Sequence, residues 1–164
     1  MISIFPGAMM LEEKNKPMHD FYLAHPLQLR HEVRAWELMI EKKTGVDILN
    51  PFYDVYREEI LKIDAGIAET YDSTFNHFNI VETDLSHLVI CRNVLVILRE
   101  ALSIGTHCEM WDSVKCGRPV HIITDTFHNH PWVKYSAEKT NGFIFKTWGD
   151  FKQYLLTSFK RGKN

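Results

Sequence analysis

Apolar residues in this chain come in short runs separated by polar, proline-bearing or glycine-bearing breaks, and their spacing alternates between two periods. The run FYLAHP at 21–26 is aromatic and apolar and is closed by Pro26, which predicts a strand. Leu29, Val33, Trp36 and Ile40 then recur at steps of four, three and four, the stripe of a helix over 27–43. Thr44 and Gly45 stop that helix, and 46–49 predicts a second strand ended by Asn50 and Pro51. From 52 to 80 the periodicity weakens. A helix is expected over 57–68, and the polar, aromatic stretch 71–79 reads as an irregular loop over a ligand or as an ordinary connector. Thr83 or Asp84 is expected to cap a short helix.

The run NVLVIL at 93–98 is continuously apolar, as a parallel strand buried on both faces must be. A loop leads to a helix ended by Gly117, Arg118 and Pro119. Residues 120–123 and 142–145 predict two more strands, and 148–159 a last helix. Strands alternating with helices give an α/β fold: a three-layer sandwich on a mostly parallel sheet, Rossmann-like or flavodoxin-like. Ligands in such folds bind beyond the carboxyl ends of the strands, so the loops at 24–30, 50–56, 99–106 and 124–132 are expected to ring one site. Residues 1–19 read as an extension or edge segment, 20–160 as one domain, and 161–164 as a tail.

Composition narrows the function more than the fold. The 164 residues are 45% hydrophobic with a net charge of −2, which gives no electrostatic footprint for a nucleic-acid polymer or a membrane. No apolar run approaches a membrane span, and the first residues lack a basic signal region. Three cysteines without a CxxC pair fit a reduced, cytoplasmic setting, with Cys91 and Cys116 expected in the core. HNH at 128–130 spells a nuclease name without a metal-ligand framework or a basic surface. His107 and Cys108 lack the spacing of a zinc site, so no metal and no cofactor are expected. Neither a dinucleotide nor an ATP fingerprint is present.

The chemistry concentrates in SIGTHCEMW at 103–111, where Glu109 has two readings. Thr106 and Glu109 have the spacing of a capping box, Thr106 accepting the Glu109 N–H and Glu109 reaching back. Alternatively, the helix opens at the ligand end of the sheet. Ser103, Gly105 and Thr106 then surround an anion, and Glu109 is a carboxylate nucleophile kept ionised by the helix field.

FYLAHP at 21–26, NPFYD at 50–54, NVLVIL at 93–98, SIGTHCEMWDSVKCGRPV at 103–120 and HPW at 130–132 together resemble the nucleoside 2-deoxyribosyltransferase superfamily, including its nucleotide N-glycoside hydrolase branch. The resemblance implies cleavage of the N-glycosidic bond of a nucleoside or nucleoside monophosphate. It implies that Glu109 attacks C1′, that Tyr22 orients it, and that a homodimer completes the site. Ser103 stands where the hydrolases of monophosphates carry serine and the nucleoside transferases aspartate, which leans toward a nucleotide. Arg99, Arg30 and Arg92 are candidate phosphate partners.

The pattern departs at Asn93, where the family carries an aspartate that protonates the base or orients the sugar. An amide cannot supply a proton. Asp84, Asp54 and Asp125 are candidate substitutes, with Asp54 best placed by its loop, and a structural role for Asn93 stays open. His25 departs from a usual glycine; as imidazole it contacts phosphate or acts as an acid near neutral pH, or is a plain loop residue. Asn129, His130 and Trp132 are candidates to reach the base or the active site of a partner copy, and Phe52, Tyr53 and Tyr56 to line the base pocket, against a packing role. The competing function is a nucleotide-binding protein without turnover, which Asn93 favours.

Overall fold

The computed structural model describes residues 17–67, 75–99 and 103–160. Five parallel strands form one sheet in the order β2-β1-β3-β4-β5: β1 (His19–Ala24), β2 (Ile48–Leu49), β3 (Cys91–Ile97), β4 (Val120–Ile123) and β5 (Ile144–Phe145). Between them run α1 (Arg30–Thr44), α2 (Glu58–Asp64), α3 (His77–Val89), α4 (Ile104–Lys115) and α5 (Pro131–Lys139), with α6 (Trp148–Thr157) last. This is the expected three-layer α/β sandwich, of the flavodoxin type, with the strand order reversing between β1 and β3.

The continuous apolar runs have a simple cause. Successive strand residues point to opposite faces, and both faces are covered. Tyr22, Ala24, Val94 and Val96 pack with Leu88 of α3, Met110 and Val114 of α4, and Val133 and Ala137 of α5. Phe21, Leu23, Leu95 and Ile97 pack with Val33 and Ile40 of α1 and with Trp148, Phe151 and Leu155 of α6. A smaller cluster joins Leu27 to Ile60 and Ile63 of α2.

Several local expectations are corrected. Helix α3 begins at His77, well before Thr83, because the Asn76 side chain caps it by accepting the Asn79 N–H. The expected second and last strands shrink to two residues each. Helix α2 ends at Asp64, short of the expected 68. Cys116 and Cys108 are exposed and only Cys91 is buried. Residues 1–16, 71–74 and 161–164, on which the extension, part of the irregular loop and the tail were read, lie outside the described residues. No helix among the described residues is long and apolar enough to cross a membrane.

Candidate active site

Tyr22 and Glu109 meet at the carboxyl end of the sheet. Strand β1 pairs with β3 in the register Tyr22 to Val94, which fixes Tyr22 on the face covered by α4. Its phenol donates to Oε1 of Glu109 at 2.7 Å. Burial, and next the Glu109 carboxylate, push the Tyr22 pKa well up, so the hydroxyl stays a donor. On its other side the same hydroxyl lies 3.5 Å from Oδ1 of Asp84 on α3. One phenol therefore sits between two carboxylates.

Glu109 is not the reciprocal partner of a Thr106 cap. Helix α4 starts one turn earlier than that motif requires: Ser103 is its N-cap, accepting the Thr106 N–H at 3.3 Å and the Thr106 hydroxyl at 2.8 Å. Glu109 thus lies in the second turn, where its side chain turns to Tyr22 instead of the backbone. The expectation that the helix field keeps it ionised is corrected for the same reason. That field fades beyond the first turn, and burial raises the Glu109 pKa to about 7, against opposing contributions from Tyr22 and Arg57. At neutral pH the carboxyl is shared between its acid and its base forms.

A cavity of about 370 Å³ opens over Glu109, lined also by His25, Phe52, Asp84, Ser103, Gly105 and Thr106. Its size suits a small organic ligand. A Cβ added to Gly105 would meet no atom within 4 Å, so the space beside this first-turn backbone is free for a ligand. The N–H groups of the first turn project from that helix end, an anion-favouring arrangement.

His25 is buried in the wall, its Nε2 3.2 Å from Asn50 Oδ1 and its Nδ1 3.2 Å from the Pro26 carbonyl. Burial lowers its pKa to about 4, which corrects the expectation of an acid near neutral pH. Phe52 packs edge-on against the His25 ring.

The other expected site residues are elsewhere. Asn93 lies near the start of β3, donates to the Asp20 carbonyl at 2.9 Å and is not among the residues lining the cavity. Asp54 is not in the cavity lining: it accepts the Asn50 N–H at 2.7 Å and pairs with Arg34 at 3.1 Å, tying down the NPFYD turn. Arg99 pairs with Glu32 at 2.8 Å and lines a different cavity, together with Asp125. Arg30 is held by Asp64. Asn129 and His130 are exposed outside the cavity, and Nδ1 of His130 caps α5 by accepting the Trp132 N–H at 3.3 Å. Of the aromatic candidates only Phe52 lines the cavity; Tyr53 bonds His31 and Trp132 packs on Trp111.

Arg57 is the site residue that the sequence hides. It is buried, forms an ion pair with Asp84, and reaches Glu59 at 3.4 Å. It belongs to a weakly patterned stretch, and nothing local marks one arginine there as buried.

Fold and cavity define an α/β protein of flavodoxin topology with a polar pocket at the switch in strand order. No protein-family model matches the chain, and no curated protein does. Among solved structures, a conserved protein from Enterococcus faecalis V583 is similar with a TM-score of 0.59 at 15% identity, over 84% of this chain and 97% of that one. Likeness at that identity shows the fold alone.

Proposed function

We propose that this protein cleaves the N-glycosidic bond of a nucleoside 5′-monophosphate or nucleoside through a glycosyl-enzyme on Glu109. The observation that carries the reading is the Tyr22–Glu109 hydrogen bond of 2.7 Å at the wall of a ligand-sized cavity. A buried carboxylate with a raised pKa is a more basic nucleophile than an exposed one once it is ionised, and tyrosine holds it in one orientation.

In the reaction, an ionised Glu109 oxygen bonds to C1′ as the bond from C1′ to the base nitrogen breaks. The electron pair leaves with the base, which takes a proton from solvent. Water then adds at C1′, loses a proton to solvent and releases Glu109 as a carboxylate; a second base in place of water gives transfer. Asp84, rather than Asp54, is the second carboxylate facing this site, and Arg57 fixes its position. The first-turn N–H groups of α4 beside Gly105 receive a 5′-phosphate. The function fits a homodimer closing the cavity mouth. Ile104 at its rim is 77% exposed, and on α4 and α5 Trp111, Trp132 and Tyr135 form one exposed aromatic face.

The competing reading is a binding protein that returns its ligand intact. It is favoured by the tie between Asp84 and Arg57, which commits the second carboxylate to an ion pair. Equilibrium dialysis against nucleosides and their monophosphates, followed by chromatography of the recovered ligand, separates the two. Free base supports cleavage; bound ligand recovered whole supports the binding protein.

A further inference from the structure

The cavity over Glu109 carries two carboxylates, and no lysine or arginine is among its described lining residues. Arg57 is committed to Asp84 and Glu59. An anionic group entering here meets the N–H groups of α4 and one titratable base, His25.

Both ring nitrogens of His25 face oxygens, at 3.2 Å from the Pro26 carbonyl and 3.2 Å from Asn50 Oδ1. The Asn50 amide cannot turn to offer nitrogen instead. Its Oδ1 accepts the Phe52 N–H at 3.1 Å, and its Nδ2 donates to Glu37 at 2.6 Å. Glu37, on α1 and wholly buried, also accepts from Arg34 at 2.5 Å. A neutral imidazole has one N–H and satisfies one of its two acceptors. The form that satisfies both is the imidazolium, which desolvation disfavours.

We propose that His25 is the conditional cation of this cavity: it takes up a proton when a phosphate-type anion enters, so anionic ligands bind with proton uptake and neutral ones without it. An anion within about 4–6 Å raises such a pKa by roughly one to three units. Starting from about 4, that brings the ring toward neutrality. The charged groups around it are Glu37 behind Asn50, with Arg34 and Asp54 beyond, and Asp84, backed by Arg57, and Glu109 across the cavity. The choice of nucleotide as ligand rests on the function proposed above; the proton uptake does not.

The test uses Glu109→Gln, which removes turnover and the titration of Glu109 itself. Calorimetry follows binding of 2′-deoxynucleoside 5′-monophosphates, the matching nucleosides and inorganic sulfate from about pH 5.5 to 8, in two buffers of different ionisation enthalpy. Sulfate keeps a fixed charge over this range, so its linkage reports protons on the protein alone. The expected result is uptake approaching one proton per sulfate at the acid end, with affinity falling up to about tenfold per pH unit. Nucleosides show no uptake, and His25→Asn, or His25→Gln where the first does not fold, abolishes it.

Anion binding without proton uptake, or uptake that survives in a folded His25 variant, overturns the proposal. The buffer comparison on the parent needs no His25 variant, so a folding failure does not blunt it. If sulfate binds with His25-dependent uptake while no nucleotide or nucleoside binds, the conditional cation stands and the glycosidase reading falls. If neither sulfate nor nucleotide binds, both fall.

Discussion

The place of Glu109 in the fold costs stability once its carboxyl ionises. Its ordinary pKa of 4.5 is raised to about 7, chiefly by burial. An unfolded chain therefore releases this proton at lower pH than the folded one, and stability is lost as pH rises from 4.5 through 7. Glu109→Gln is expected to be more stable than wild type by about 1–3 kcal/mol at pH 8, with the difference vanishing near pH 4, in denaturant titrations. In the proposed reaction the same proton governs turnover, because only the ionised carboxylate attacks. Turnover should rise with pH through about 7. Tyr22→Phe removes a hydrogen bond that favours the ionised form, so the rising limb should move up by about one unit in a pH–rate profile. An unmoved limb would mean that Tyr22 does not tune Glu109. Sequence made this pair legible, since SIGTHCEMW and FYLAHP mark both residues. It could not show the proton: burial belongs to the assembled fold, and local spacing favoured a cap that Ser103 in fact provides. The position of Asn93 outside the cavity lining was not legible for a related reason, because its place before an apolar run says nothing about which end of the strand meets the ligand.

At the scale of elements, the two faces of the sheet were readable from the apolar runs, and the contacts that lock the short strands were not. Gly142 is one such contact. A Cβ there would lie 1.9 Å from the Val120 carbonyl oxygen, so the turn before β5 approaches β4 at a distance only glycine allows. Gly142→Ala is expected to destabilise by more than about 2 kcal/mol in chemical denaturation, since backbone and not a flexible side chain must yield. His121 of β4 is a second case. It is buried among Phe21, Phe143, Phe145 and Tyr154, and its Nδ1 has no partner among the described residues. Burial lowers its pKa from 6.5 to about 4, so the unfolded chain binds the proton first and stability is lost as pH falls below 6.5. His121→Phe should remove that loss, gaining up to about 2 kcal/mol at pH 5 and less at pH 8. A gain independent of pH would assign the effect to packing alone. In the sequence, VHII reads as an apolar strand, and nothing marks its histidine as uncharged.

For the whole molecule, the strand order 2-1-3-4-5 places one cavity at the reversal and leaves an aromatic face beside it. That face, with Trp132 59% exposed against Trp111, is where a second copy is expected to pack. Trp132→Asp should shift the sedimenting species toward monomer and lower turnover with it. A monomeric wild type would place the complete site in a single chain. The class of fold was legible because alternating periods leave few other architectures. Which loops meet at the cavity was not, and of the four expected to ring it, the one at 124–132 contributes no lining residue. The most direct measurement is chromatography of free base from a panel of nucleosides and nucleoside monophosphates, with wild type beside Glu109→Gln. The account predicts release by wild type and a loss of about a thousandfold or more in the variant. Equal release by both, or none from any member of the panel, would contradict it.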